Sequence, residues 1–177
     1  NPLSLHDALP ICVHKGTLPS KTLREAALAE TKHDTGVLAR VLARVKEVAE
    51  QESKVIEEAF QRNQVQQFRG TAQLTSDRSV EIKSPEKVLQ LTASKIILAT
   101  GSSPNRISGV DYDGRTVFDS DTILELTELP QTLVVMGAGV IGCEYASIFA
   151  RLGCQVTLID RRKDMLRSVD QEIVGNL

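Results

Sequence analysis

Gly137, Gly139 and Gly142 stand at the spacing GxGxxG, with Ala138, Val140 and Ile141 between them. That spacing suits one chemistry above others, the holding of a dinucleotide pyrophosphate by backbone N–H groups. The first glycine permits the tight turn, the second lets backbone approach the phosphates, and the third lets a helix pack closely on a strand. A bare match is weak, because glycines are common in turns, so its setting decides. Asp160 closes an apolar run 23 positions past Gly137. An acid there can accept both ribose hydroxyls of NAD. Arg161 and Arg162 follow at once and offer forked donors to the 2′-phosphate of NADP. The acid repels that phosphate and the arginines attract it, so NAD and NADP both stay open, as does a plain solvated loop for the arginines. Glu144 is placed in the first turn of the helix that the glycines open, where a carboxylate complements the helix dipole.

The elements that must position these groups read directly. Residues 132–136 form an apolar, parallel-type strand, and 140–152 an amphipathic helix that Gly153 stops. Residues 155–159 form the next strand, so 133–160 is a βαβ unit. Upstream, Pro19 and Ser20 suit a helix start, and the run from Ser20 to about His33 is rich in Ala, Leu and Glu. The free N–H groups at its start make a natural anion site, to which Lys21 adds charge. After a break at Asp34-Thr35-Gly36, residues 37–63 carry an apolar stripe of helical period. It reads as a helix packed on its own domain, with a partner helix as the alternative.

Residues 65–68, 79–83 and 88–92 read as strands of a small antiparallel meander. The apolar run 95–99 reads as a further strand, ending in the turn of Thr100, Gly101 and Ser102, where backbone can approach a ligand. Loop follows, then a short helix near 120–126 and a domain boundary at Leu129-Pro130. Residues 1–11 show no clear period and are left unassigned, with a non-native junction as one reading.

Composition narrows the class. The 177 residues suffice for one domain or parts of two. A content of 41% hydrophobic and 25% charged residues suits a folded chain with a soluble surface. A formal net charge of −2 gives no broad basic face for nucleic acid. No apolar run approaches about 18 residues, so no membrane helix is expected. Cys12, Cys143 and Cys154 form no CxxC pair and no Cys/His ligand pattern, so no metal site is expected. So sparse and odd a count fits the cytoplasm better than a secreted disulfide scaffold. The chain starts at Asn1 rather than Met, which reads as a fragment.

Three blocks, CVHKGTLPSKTLREAAL, ATGSSP and GAGVIGCEYASIFARLG, resemble the flavoprotein pyridine nucleotide–disulfide oxidoreductases. The resemblance covers about residue 12 to the end. It implies an α/β fold of two dinucleotide-binding domains with Rossmann-like βαβ units and a small antiparallel meander. In this chain, 12–130 would be part of an FAD domain and 131–177 the start of an NAD(P) domain. It further implies FAD, NAD and NADP as cofactors, nicotinamide dinucleotides as substrates, and a homo-oligomer for the intact protein.

The resemblance also assigns residues. It places Lys21 near the flavin, Ala72 beside the FAD adenine, and Thr100, Gly101 and Ser102 at a second FAD turn. Disulfide reductases of the family carry a CxxxxC pair before PSK, whereas here Cys12 is followed by Thr17. One cysteine makes no intramolecular disulfide. The pattern C-x-H-x-G-T resembles the soluble transhydrogenase branch, which implies hydride transfer from NADPH to NAD⁺ through flavin. A dihydrolipoamide dehydrogenase-like reductase and a non-catalytic nucleotide-binding fragment are the alternatives. No catalytic residue is assigned. Cys12 is a candidate flavin neighbour, although a packing role suits a lone cysteine better, and His14 reads as structural. The flavin fingerprint expected before Cys12 is missing, as are the glycine pair beside it and the family's C-terminal domain. The stretch alone is therefore expected to be inactive.

Overall fold

The computed structural model describes residues 3–5, 11–31, 34–76, 78–167 and 169–175. It is an α/β arrangement with one antiparallel and one parallel sheet. Strand β1 (Leu3–Leu5) pairs antiparallel with β2 (Gly70–Ser76), which pairs with β3 (Ser79–Lys83), which pairs with β4 (Val88–Thr92). So part of 1–11, unassigned from sequence, is an edge strand of the meander; a three-residue strand is too short to show a period. The expected strand at 65–68 does not form. The segment is coil, and the strand starts at Gly70, whose added Cβ would lie 2.5 Å from the Lys83 carbonyl oxygen. At Gly70 the backbones of β2 and β3 therefore approach too closely to admit a Cβ.

Three helices make the body. Helix α1 (Ile11–His14) leads into α2 (Thr17–Ala29), and α3 (Val37–Arg62) follows. Helix α2 begins three residues earlier than expected. Pro19 lies in its first turn, where the missing N–H costs nothing, and Ser20 is not a cap. Ser20 is buried and its hydroxyl donates back to the Thr17 carbonyl at 3.3 Å. The helix ends at Ala29, short of the expected 33, a position outside the described residues. The stripe on α3 is half used. Val37, Leu38, Val41 and Val45 are buried, while Val55 is 54% exposed. Ser53 ties α3 to α1: its one proton goes to the Ala49 carbonyl at 2.7 Å, and His14 Nε2 lies 3.3 Å from its oxygen. His14 thus joins α1 to α3.

The parallel pair β5 (Thr132–Met136) and β6 (Gln155–Ile159) runs in register from Thr132↔Gln155 to Met136↔Ile159, joined by α4 (Val140–Arg151). Leu133 and Val156 face the helix side and pack against the core. That core joins Leu23 and Ala27 of α2, Val37 to Val45 of α3, and Tyr145, Ile148, Phe149 and Leu152 of the α4 segment. The antiparallel sheet shares no extensive packing with these helices. The expected strand 95–99 is coil, and Ile97 is 90% exposed. Apolar character alone makes no strand, and no paired neighbour for this run exists among the described residues. Helix α5 (Gln171–Val174), capped by Asp170, is the last element of the described residues.

The expected helix near 120–126 is a single 3-10 turn, Thr122–Glu125. Asp119 caps it by accepting from the Thr122 and Asp121 N–H groups at 2.9 and 3.1 Å, and Arg106 reaches the same carboxylate at 2.8 Å. Burial opposes ionisation, but the Thr122 N–H, the Arg106 guanidinium and the Thr122 hydroxyl outweigh it and lower its pKa to about 2. Depression below the ordinary value of 3.8 means that Asp119 adds stability above that pH and loses it as pH falls toward about 2. An Asp119→Asn variant should show a shallower loss of stability across that window in acid titration followed by circular dichroism. An unchanged slope would contradict the cap.

Candidate functional site

The C-terminal ends of β5 and β6 meet the glycine loop. Gly137 sits at φ 113°, a backbone state that favours glycine. Its N–H donates to the Ile159 carbonyl at 2.7 Å, which fastens the loop to β6. A Cβ on Gly142 would lie 1.8 Å from the Gly137 carbonyl oxygen, so helix and loop approach as only glycine allows. Gly139 differs. Its backbone is extended, and a Cβ there would meet nothing within 4 Å. It opens α4 without any side-chain cap, so the first-turn N–H groups at Val140 and Ile141 have neither a capping side chain nor an intrahelical acceptor. Space above Gly139 and uncapped donors beneath it fit a pyrophosphate.

Two sequence readings change here. Ala138 does not offer its N–H to a ligand, because that group donates to Asp160 Oδ2 at 2.8 Å, and its carbonyl accepts from Leu166 N–H at 3.0 Å. Glu144 lies one turn deeper than expected, and the first turn of α4 holds no acid. Its carboxylate pairs instead with Lys21 at 2.5 Å. The residue assigned to the flavin side and the one assigned to the nicotinamide side thus meet across the α2–α4 seam.

Asp160 ends β6 and faces an open cleft lined also by Ile107, Met136, Gly137, Arg161 and Arg162. Arg162 wraps back on Asp160, its N–H and Nε donating to Oδ1 at 2.7 and 3.1 Å and its Nη2 to Oδ2 at 3.2 Å. The Arg162 guanidinium, together with the Ala138 and Arg162 N–H groups, holds the carboxyl well below the usual carboxylate range. Arg161 is exposed and makes no hydrogen bond or ion pair among the described residues. Ile107 carried no signal in the sequence. It comes from the loop before the βαβ unit, which Arg106 anchors through Asp119 and by lying 4.9 Å over the Tyr112 ring. Tyr145 was also missed. Its hydroxyl donates to the Ser120 carbonyl at 3.2 Å, and burial first, then Glu144 and Asp121, push its pKa up to about 12.

The remaining flavin-side residues do not gather. Ala72 lies within β2, half-buried, while Thr100, Gly101 and Ser102 are exposed coil. The cleft at the ends of β5 and β6 is lined neither by them nor by Lys21. Cys12 is exposed, which removes the buried packing role expected for it. All three cysteines are free thiols. No cluster of metal-ligating side chains occurs among the described residues, and no described helix is long and apolar enough to cross a membrane.

Comparison with known proteins matches this geometry to a family. A soluble pyridine nucleotide transhydrogenase of Pseudomonas paraeruginosa is 38% identical over 175 residues, which is 92% of this chain and 38% of the relative. Its counterpart in Mycobacterium bovis is 41% identical over 182 residues, covering 94% of this chain and 39% of the relative. The chain therefore spans less than two fifths of the length of these relatives. Among solved structures, the HOCl-induced flavoprotein disulfide reductase RclA of Escherichia coli superposes with a TM-score of 0.78 at 27% identity, over 94% of this chain and 37% of that one. The fold is thus part of a flavoprotein disulfide reductase fold, and the family works with FAD and NAD(P). The model of the pyridine nucleotide-disulphide oxidoreductases matches residues 4–175, from the edge strand through both ends of the glycine unit, and this chain belongs to that family.

Proposed function

We propose that the chain is part of an FAD-dependent transhydrogenase that moves hydride between NADPH and NAD⁺, and that it carries the start of the nicotinamide-nucleotide site. The observation that carries the choice within the family is Thr17. It opens α2 where a second redox cysteine would be needed, and no disulfide joins the three thiols. Dithiol exchange needs two sulfurs, whereas hydride transfer needs none. The identity of 38% and 41% to two soluble transhydrogenases supports the same choice. The disulfide reductase reading has the RclA likeness in its favour, but that likeness is at lower identity.

In this reading Gly137, Gly139 and Gly142 shape the loop, and Val140 and Ile141 present N–H groups to the pyrophosphate. Asp160 and Arg161 face the adenosine ribose. Lys21 and Glu144 mark where flavin and nicotinamide would face each other; flavin, when bound in the intact protein, supplies the two-electron chemistry. The intact protein would act in the cytoplasm as a homo-oligomer, with 12–130 belonging to its flavin domain and 131–177 to its nucleotide domain.

Two measurements test this. A Gly139→Val variant of this chain should keep its melting temperature within a few degrees, since the added atoms enter open space. Its NADH affinity should fall at least about tenfold as the pyrophosphate loses its approach to the charge-assisted N–H donors. Unchanged affinity in a folded variant would remove the phosphate site. At full length, a protein that reduces lipoamide but not a thio-NAD analogue would overturn the transhydrogenase reading.

A further inference from the structure

A carboxylate offers about four lone-pair positions. At Asp160 the four are filled. Oδ1 accepts from Arg162 N–H and Nε, and Oδ2 accepts from Ala138 N–H and Arg162 Nη2. An adenosine ribose presenting two hydroxyls would find no free acceptor there. The four donors are not alike, however. Two are backbone groups, fixed with the glycine loop and the β6 terminus. The other two belong to one guanidinium on a flexible stem, and the Arg162 side chain is 52% exposed where Asp160 is 9% exposed. If that guanidinium leaves, two positions open on the carboxylate, as many as the ribose diol requires.

With the guanidinium seated, the cleft suits a different guest. Arg162 neutralises the one acid at the ribose position. A guanidinium has five N–H donors, so those not given to Asp160 still point outward. Arg161 stands beside it, exposed and without a partner among the described residues. Two arginines over a neutralised carboxylate form a receptor for a phosphate dianion.

We propose that Arg162 is a two-position gate on Asp160 that lets one cleft accept both nicotinamide dinucleotides. Seated, it joins Arg161 in holding a 2′-phosphate. Displaced, it surrenders Asp160 to the 2′- and 3′-hydroxyls. The seated position is the resting one, so the site favours the 2′-phosphorylated nucleotide, and the unphosphorylated one must break an exposed ion pair to bind. This rests on the nucleotide-binding reading above and names what that reading leaves open, the basis of choice between NAD and NADP. An enzyme that passes hydride between the two has use for a site that refuses neither.

Calorimetric titration of this chain with 5′-AMP and with 2′,5′-ADP tests the gate. In Arg162→Ala and Arg162→Gln, 5′-AMP should bind about threefold to fivefold tighter, the worth of a surface ion pair no longer broken. In the same variants 2′,5′-ADP should bind at least about tenfold weaker, the worth of charge-assisted hydrogen bonds. Arg161→Ala should weaken 2′,5′-ADP by a larger factor than it weakens 5′-AMP, because only the former brings a phosphate to the ribose position. Opposite movement of the two ligands on changing Arg162 supports the gate. Movement in the same direction, or none, overturns it while the wild-type titrations keep the nucleotide reading intact. Binding of neither ligand by the wild-type chain overturns both.

Discussion

Replacing Gly142 by alanine should destabilise the protein by more than about 3 kcal/mol, the upper range for forcing one extra carbon into a filled space. The sign of this effect is informative. Inside a helix, glycine to alanine ordinarily stabilises by about 1 kcal/mol, because glycine has the greater backbone freedom to lose. Gly142 is the third residue of α4, so propensity alone favours the change. Packing opposes it, since the new Cβ would sit 1.8 Å from the Gly137 carbonyl oxygen and 3.0 Å from the Gly137 carbonyl carbon. Those atoms are backbone, and Gly137 is itself fastened to Ile159, so no side-chain rotation relieves the clash. Either α4 tilts off β5 or the loop leaves β6. Urea denaturation followed by circular dichroism measures the loss, and NADH affinity should fall with it. Gly139→Val, by contrast, should lose affinity while keeping its fold. A Gly142→Ala variant as stable as wild type would mean that the loop does not sit against the helix as described.

The βαβ unit was legible almost to the residue because its signals are local. Glycine spacing, two apolar runs and a stop glycine place β5 at 132–136 and β6 at 155–159 as they stand. Long amphipathic α3 was legible for the same reason, within a residue of its end. What failed needed information from elsewhere in the chain. The 95–99 run has strand composition, yet a strand is a pairing, and the described residues supply no partner. Gly70 opens β2 against the Lys83 carbonyl, an approach that lies thirteen residues away in sequence and that the expected strand at 65–68 could not show. At the site, Asp160 was found from its position, but its saturation by Arg162 and Ala138 was not, because hydrogen-bond occupancy depends on three-dimensional approach. The Lys21–Glu144 pair spans the chain and links two residues that the sequence had assigned to different cofactors.

Phe149→Ala should cost about 3–5 kcal/mol, the range for removing a buried aromatic ring, and lower the melting temperature by roughly 6–20 °C. Phe149 is 1% exposed and lies in the core that α4 shares with α2 and α3. A division at Leu129-Pro130 predicts two units that melt separately, with Phe149 affecting the second alone. The shared core predicts otherwise. Leu23, Leu38 and Val41 from before the division are buried with Ile148, Phe149 and Leu152 from after it, so neither group stays dry without the other. The helical signal should then fall in a single transition that moves down as a whole. Lys21→Ala provides the control at the same seam. Lys21 also joins α2 to α4, but its side chain is 59% exposed. An ion pair so placed is worth about 1 kcal/mol or less. If Lys21→Ala proved as damaging as Phe149→Ala, the seam would be held by charge rather than by burial. If Phe149→Ala split the melt into a fixed and a shifted transition, the helices would belong to two independent units. A single transition shifted far by Phe149 and little by Lys21 is the outcome the packing requires, because burial of apolar surface across the boundary, not the exposed pair at its rim, joins the helices that would carry flavin and nicotinamide.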